Sequence, residues 1–151
     1  MDRGDRQLTG LRVLVVDDDS EMRASLTLVL ELYGASVTAV GSSCEALQVL
    51  GESVPDVLLS DLSMPGEDGY GLIRKVRALP PDRGGRVPAA AVSARTSAED
   101  RGRVLAAGFQ LHVPKPVGGL ELATVVARLG GRSARTAPSE WSRSTPARTS
   151  S

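Results

Sequence analysis

The sequence predicts a doubly wound α/β fold, a five-stranded parallel sheet with helices on both faces. Three observations predict it. Five short apolar runs rich in Val, Leu and Ala lack in-and-out alternation, as strands buried on both faces require. Between them lie stretches whose apolar residues recur at helical spacing, bounded by capping residues, glycines or prolines. The connections are short, so strand and helix alternate along the chain, as right-handed crossovers onto a single sheet demand.

Residues 1–9 read as a polar lead-in with little to pack. Leu11 to Val16 is the first strand, and Met22, Leu26, Val29, Leu30 and Tyr33 then form a helical stripe that Gly34 stops. Ala35 to Val40 is the second strand. Ser42 and Glu45 make a capping-box pair for a short helix that runs through Leu50 and is closed by Gly51. Pro55 to Ser60 is the third strand, ending at Asp61 and a Pro65-Gly66 turn. Leu72, Ile73, Val76 and Leu79 mark a helix that ends at Pro80-Pro81, followed by a polar, glycine-rich loop to Arg86. Val87 to Val92 is the fourth strand; Ser97 and Asp100 open a helix that Gly108 ends. Phe109 to Val113 is the fifth strand, and Leu122, Val125, Val126 and Leu129 stripe the last helix before Gly130-Gly131. From Arg132 onward the composition is Ser, Thr, Arg and Pro with Trp141 as the one aromatic, which predicts a disordered tail over 131–151. The expected domain is 10–130.

Composition narrows the function. With 18 basic and 18 acidic side chains the 151-residue chain is formally neutral. The last 21 residues hold four arginines against one glutamate, which leaves them at +3 and residues 1–130 at −3. Neither part reads as a nucleic-acid binder by charge. Cys44 is the sole cysteine, so no internal disulfide forms, which fits a reducing compartment. No apolar run approaches the ~20 residues that span a bilayer, and the polar N-terminus is no signal peptide. The expectation is a soluble cytoplasmic protein with no membrane or nucleic-acid partner. With no chain for an output domain after residue 130, it reads as a stand-alone unit or a piece of a longer hybrid protein.

In doubly wound sheets, ligands bind beyond the carboxyl ends of the strands, where strand order reverses. That rule turns sequence into a site. Asp17 and Asp18 end strand one, Asp61 ends strand three, Ser93 ends strand four and Lys115 ends strand five, all on one edge of one sheet. Carboxylates ~4–6 Å apart repel by a few kcal/mol at an effective dielectric near ~20. Either one stays protonated or a cation sits among them. With oxygen ligands and no His or Cys cluster, the cation expected is Mg²⁺. A carboxylate beside Mg²⁺ and a lysine can attack phosphorus and form an acyl phosphate, with Ser93 donating its hydroxyl to a phosphoryl oxygen.

The segments Val13-Leu-Val-Val-Asp-Asp-Asp, Ser60-Asp-Leu-Ser-Met-Pro-Gly-Glu-Asp-Gly, Val92-Ser-Ala and Val113-Pro-Lys-Pro resemble the receiver domain of two-component response regulators, over about residues 10–130. The resemblance implies the CheY-like strand order 2-1-3-4-5, with Asp61 accepting a phosphoryl group from a histidine kinase or phosphotransfer protein. It implies that Asp17 and Asp18 hold Mg²⁺ together with Asp61, Asp18 being the more direct ligand, and that Ser63 gives the metal its backbone carbonyl. It places Ser93 and Lys115 on the phosphoryl group, with Lys115 followed by a cis bond to Pro116. Asp19 reads as a helix N-cap with Ser20 as rival, and Asp68-Gly69 as a structural turn. Where the family often carries Tyr or Phe, three residues before the lysine, this chain has His112. It reads as a half-exposed movable ring partnering Ser93 in the switch, the sharper alternative being a protonation that tunes the switch near neutral pH. Activation is then a population shift carried to a protein partner by the helix four–strand five–helix five face. Such a protein is no conventional enzyme, since it acts only on itself, in self-catalysed phosphoryl transfer and autodephosphorylation.

Three rivals share parts of this pattern. A dinucleotide-binding domain would need a glycine-rich turn where Asp17-Asp18-Asp19-Ser20 stands, and the acids repel a pyrophosphate. An aspartate-nucleophile phosphatase of the haloacid dehalogenase type finds its Asp-x-Asp in residues 17–19. It would want Thr or Val two residues on, where Glu21 stands, and a cap domain for which there is no chain. A receiver kept only as a phosphorylation-independent docking module is opposed by the intact acids and lysine.

Overall fold

The structure is a computed structural model that describes residues 7–64, 66–94 and 97–131. The predicted disordered tail therefore lies, apart from Gly131, outside the described residues. Five strands, β1 (Arg12–Val16), β2 (Ser36–Val40), β3 (Val57–Asp61), β4 (Ala89–Ser93) and β5 (Leu111–Pro114), form one parallel sheet in the order β2-β1-β3-β4-β5. Five helices alternate with them: α1 (Ser20–Leu32), α2 (Ser43–Glu52), α3 (Gly69–Arg77), α4 (Ala98–Ala107) and α5 (Gly119–Leu129). This is the predicted fold and strand order. Strand order reverses between β1 and β3, so the crevice that the topology offers lies beyond their carboxyl ends.

The strands are apolar on both faces because helices cover both. On one face Val13, Val15, Leu59, Ala90, Val92 and Val113 pack with Leu26 and Leu30 of α1 and Leu122 and Val126 of α5. On the other, Leu14, Leu58, Ala89 and Ala91 pack with Leu50 of α2, Leu72, Ile73 and Val76 of α3, and Val104 of α4. Leu14, Leu58 and Leu72 are fully buried, each contributing about 1.5–3 kcal/mol by leaving water. Among the described residues, no helix is long and apolar enough to cross a membrane.

Several boundaries differ from the sequence reading, each for a physical reason. Leu8 is no loose lead-in: its side chain is fully buried in the α1–α5 core, and its N–H donates to the Tyr33 carbonyl at 2.9 Å. Val87 and Phe109 are buried, but their amides close turns, onto Gly84 and Val104 respectively, so β4 and β5 start two residues later than their apolar runs. Gly51 does not end α2. The helix continues to Glu52, and the N–H of Ser53 still reaches the Val49 carbonyl at 2.9 Å. Pro81–Arg83, read as loop, is one 3₁₀ turn that Gly84 leaves at φ +107°. Cys44 is exposed, whereas Met64 is buried.

Candidate functional site

Register brings the acids together. Val16 of β1 pairs with Ser60 of β3, so Asp17 and Asp61, one residue further along each strand, come level at the reversal point. Both are buried, Asp17 at 1% exposure and Asp61 at 8%, whereas Asp18 faces solvent. Taking one carboxylate oxygen from each, Asp17, Asp18 and Asp61 lie within 4.8 Å of one another. From the fifth strand, Lys115 places its Nζ 3.3 Å from Asp17 Oδ2 and 3.5 Å from Asp61 Oδ1. One ammonium group thus bridges two buried carboxylates.

The local backbone is tied to hold this arrangement. The N–H of Asp17 donates to the Val40 carbonyl at 3.1 Å, and the N–H of Asp19 donates to Asp17 Oδ1 at 2.9 Å. Asp19 caps α1, accepting from the backbone N–H of Glu21 at 3.0 Å and of Met22 at 3.4 Å. Ser63 lies beside the site, its N–H donating to Asp61 Oδ1 at 3.4 Å. Ser93, buried at the end of β4, accepts the Lys115 N–H on its carbonyl at 2.9 Å. The Lys115–Pro116 peptide is cis. Asp68 caps α3 by accepting from the Gly71 N–H at 2.9 Å.

Electrostatics follow from the burial. The Asp61 carboxyl is pushed above its ordinary range, first by burial and then by the charge of Asp17; Lys115 and the N–H groups of Ser63 and Leu62 pull it back. Three carboxylates against one ammonium leave the pocket short of positive charge. The donor set is all oxygen, with no His or Cys in the cluster, and an oxygen-only acidic cluster suits a hard divalent cation such as Mg²⁺. Asp17, Asp18 and Asp61 are the residues that would hold it.

His112 makes none of these contacts. It pairs with Ala91 on the α2–α3–α4 face of the sheet, half-buried, with Nε2 out of reach of solvent and of any partner among the described residues. Burial, and then Arg101, push its imidazole below the ordinary histidine range, with Asp100 opposing. The ring is therefore biased toward its neutral form at neutral pH.

Sequence reasoning passed over two residues at this end of the sheet. Arg23, at the end of the first turn of α1, donates from Nη1 to the carbonyl oxygen of Asp17 at 2.8 Å. Glu67, in the loop after β3, accepts from Ser43 Oγ of α2 at 2.8 Å and pairs with Lys75 at 3.0 Å, which hold its carboxyl below the ordinary range. Arg23 belongs to no motif, and only a helix start fixed at Ser20 would have turned it back toward the acidic loop; Glu67 lies within the segment 60–69, but nothing in that segment points to Ser43 or Lys75 as its partners.

Comparison with known proteins gives this arrangement a family. Residues 13–127 match the response regulator receiver domain family. The chain is 43% identical over 119 residues to an uncharacterised 14.6 kDa protein of Leptolyngbya boryana, covering 79% of this chain and 89% of that one. It is 40% identical over 125 residues to the transcriptional regulatory protein PrrA of Mycobacterium tuberculosis, covering 83% of this chain but 51% of PrrA, so it spans about half of that relative. Among solved structures, the receiver domain of a sensor histidine kinase from Pseudomonas aeruginosa superposes with a TM-score of 0.74 at 30% identity, over 82% of this chain and 99% of that one; it carries a magnesium ion coordinated in its active-site cleft. The chain belongs to the response regulator receiver domain family of two-component signal transduction. It is a receiver rather than a conventional enzyme.

Proposed function

We propose that the chain is a cytoplasmic phosphoacceptor whose Asp61 takes a phosphoryl group from a phosphohistidine of a histidine kinase or phosphotransfer protein. The observation that carries this is the bridge from Lys115 to both Asp17 and Asp61, with Asp18 alongside, at the point where strand order reverses. In the transfer, an Asp61 carboxylate oxygen bonds to phosphorus as the phosphorus–nitrogen bond of the donor breaks. The electron pair leaves with the imidazole nitrogen, which takes up a proton. Lys115 and the N–H groups of Leu62 and Ser63 favour the carboxylate form that the attack needs. Mg²⁺ held by Asp17, Asp18 and Asp61, with the Ser63 carbonyl as a further ligand, would supply positive charge to the phosphoryl oxygens. Lys115 and the Ser93 hydroxyl are the groups assigned to those oxygens from the protein side.

The same reading assigns residues 10–130 to the receiver and gives Ser93 and His112 the switch. Ser93 ends β4, and His112 on β5 faces α4, so the α4–β5–α5 face is the one a protein partner would read. The test is incubation with Mg²⁺ and acetyl phosphate followed by intact mass measurement. One added phosphoryl group is expected on the native chain and none on Asp61→Asn. Lys115→Ala should be phosphorylated about 10²-fold more slowly, the usual cost of removing one charge-stabilising donor. Unaltered labelling of Asp61→Asn would overturn the assignment.

A further inference from the structure

Asp18 is the least tethered of the three acids. It is exposed, and among the described residues no hydrogen bond or ion pair to its carboxylate is found, whereas Asp17 and Asp61 both meet Lys115. What aims Asp18 is therefore the peptide plane that precedes it. The N–H side of Asp17 is fixed on Val40, and the carbonyl of Asp17, which belongs to the plane shared with Asp18, is held by the guanidinium of Arg23 at 2.8 Å. No other donor to that carbonyl is found among the described residues.

Arg23 is itself set in place. Its backbone N–H closes the first turn of α1 on the Asp19 carbonyl at 2.9 Å. Its head group lies against the backbone of Gly41, where a Cβ would stand 2.9 Å from Nη1. The N–H of Gly41 in turn donates to Glu45 Oε1 at 2.8 Å, which fixes the loop between β2 and α2. The missing side chain at position 41 thus leaves the space in which the Arg23 head group lies while it holds the Asp17 carbonyl.

We infer that Arg23, admitted by Gly41, is a positioning residue that orients Asp18 for the divalent cation by clamping the Asp17–Asp18 peptide. This rests on the cation reading given above. Arg23 touches neither phosphoryl donor nor acceptor; it acts through the backbone of Asp17. Residues that orient metal ligands in this way typically change affinity by about 10–100-fold when removed.

The experiment is a Mg²⁺ titration of the isotope-labelled full chain, following backbone amide shifts, on the native protein, Arg23→Ala and Gly41→Ala. The second variant keeps the guanidinium and its charge but places a methyl in its path, so it separates position from charge and serves also if Arg23→Ala fails to fold. Both variants should bind Mg²⁺ at least tenfold more weakly. The acetyl phosphate reaction should show the same split, a higher Mg²⁺ requirement with a near-native rate at saturation. Native-like Mg²⁺ affinity in folded Gly41→Ala, or in folded Arg23→Ala, would overturn the inference. A native chain that binds no Mg²⁺ would instead sink the cation reading on which it stands.

Discussion

Asp61 carries a cost that its neighbours only partly offset. Burial and the facing charge of Asp17 disfavour its ionised form, while Lys115 and two backbone N–H groups favour it, and the balance leaves its pKa raised. A carboxyl whose folded pKa exceeds its unfolded value destabilises the fold at pH values above both. That penalty is absent below the unfolded value, about 3.9, and grows as pH rises through the folded one. Asp61→Asn should therefore melt a few degrees above the native chain at pH 7 in chelator. The difference should shrink toward zero as the pH is lowered below about 4, where both chains are uncharged at this position. Thermal melts at the two pH values check this, and a variant less stable than native at pH 7 would contradict it. Added Mg²⁺ should narrow the gap at pH 7, because a cation bound only by the folded native chain stabilises it.

At the scale of elements, α4 stands apart from the other helices. It buries Val104 alone, while Leu105 is exposed, and α3 buries Tyr70, Leu72, Ile73 and Val76. Beneath α4, the His112 Nε2 finds no partner among the described residues, and neither does the buried hydroxyl of Tyr70, over whose ring Arg103 of α4 lies at 4.7 Å. A helix that buries one side chain fully, with Ala107 only partly covered, and that lies near two unsatisfied polar atoms has little to hold it. Native-state hydrogen exchange should therefore open the amides of α4 well before those of α3, by about tenfold or more in protection. Equal protection in the two helices would show that α4 is anchored by something other than the packing seen here. A loosely held α4 is also what the proposed switching face would need, since a population shift is inexpensive only where few contacts must break.

Across the whole molecule, one side chain ties α3 to the end of the sheet remote from the acids. Arg77 of α3 donates to the Gly108 carbonyl at 2.9 Å, the Gly85 carbonyl at 3.1 Å and Gln110 Oε1 at 3.2 Å, so a single guanidinium joins α3 to the segments leading into β4 and β5. Arg77→Ala should cost about 2–3 kcal/mol in denaturant unfolding, since it strips charged donors from the part-buried carbonyls of Gly108 and Gly85 as well as from the exposed Gln110 amide. A loss below about 0.5 kcal/mol, the level of an ordinary surface change, would contradict that role. Such ties were invisible in the sequence: Arg77 reaches residues 8 to 33 positions away through a long side chain, Arg23 reaches back six, and no local spacing announces either. The fold was legible because strands buried on both faces leave a continuous apolar signature, and the acids stood out because each interrupts that signature at a strand end. Local signals misled where a residue has two uses. A glycine often ends a helix, but Gly51 sits one residue inside α2, and Leu8 looked too isolated to be core.

The acid that ends β3, and not an acid of the β1 loop, is expected to form the bond to phosphorus. Reducing the phosphorylated chain with borohydride converts a phosphorylated aspartate to homoserine, which peptide mapping then locates. Homoserine at position 61 alone is the predicted result; homoserine at position 17 or 18, or at none of the three in a chain that has gained a phosphoryl group, would contradict it.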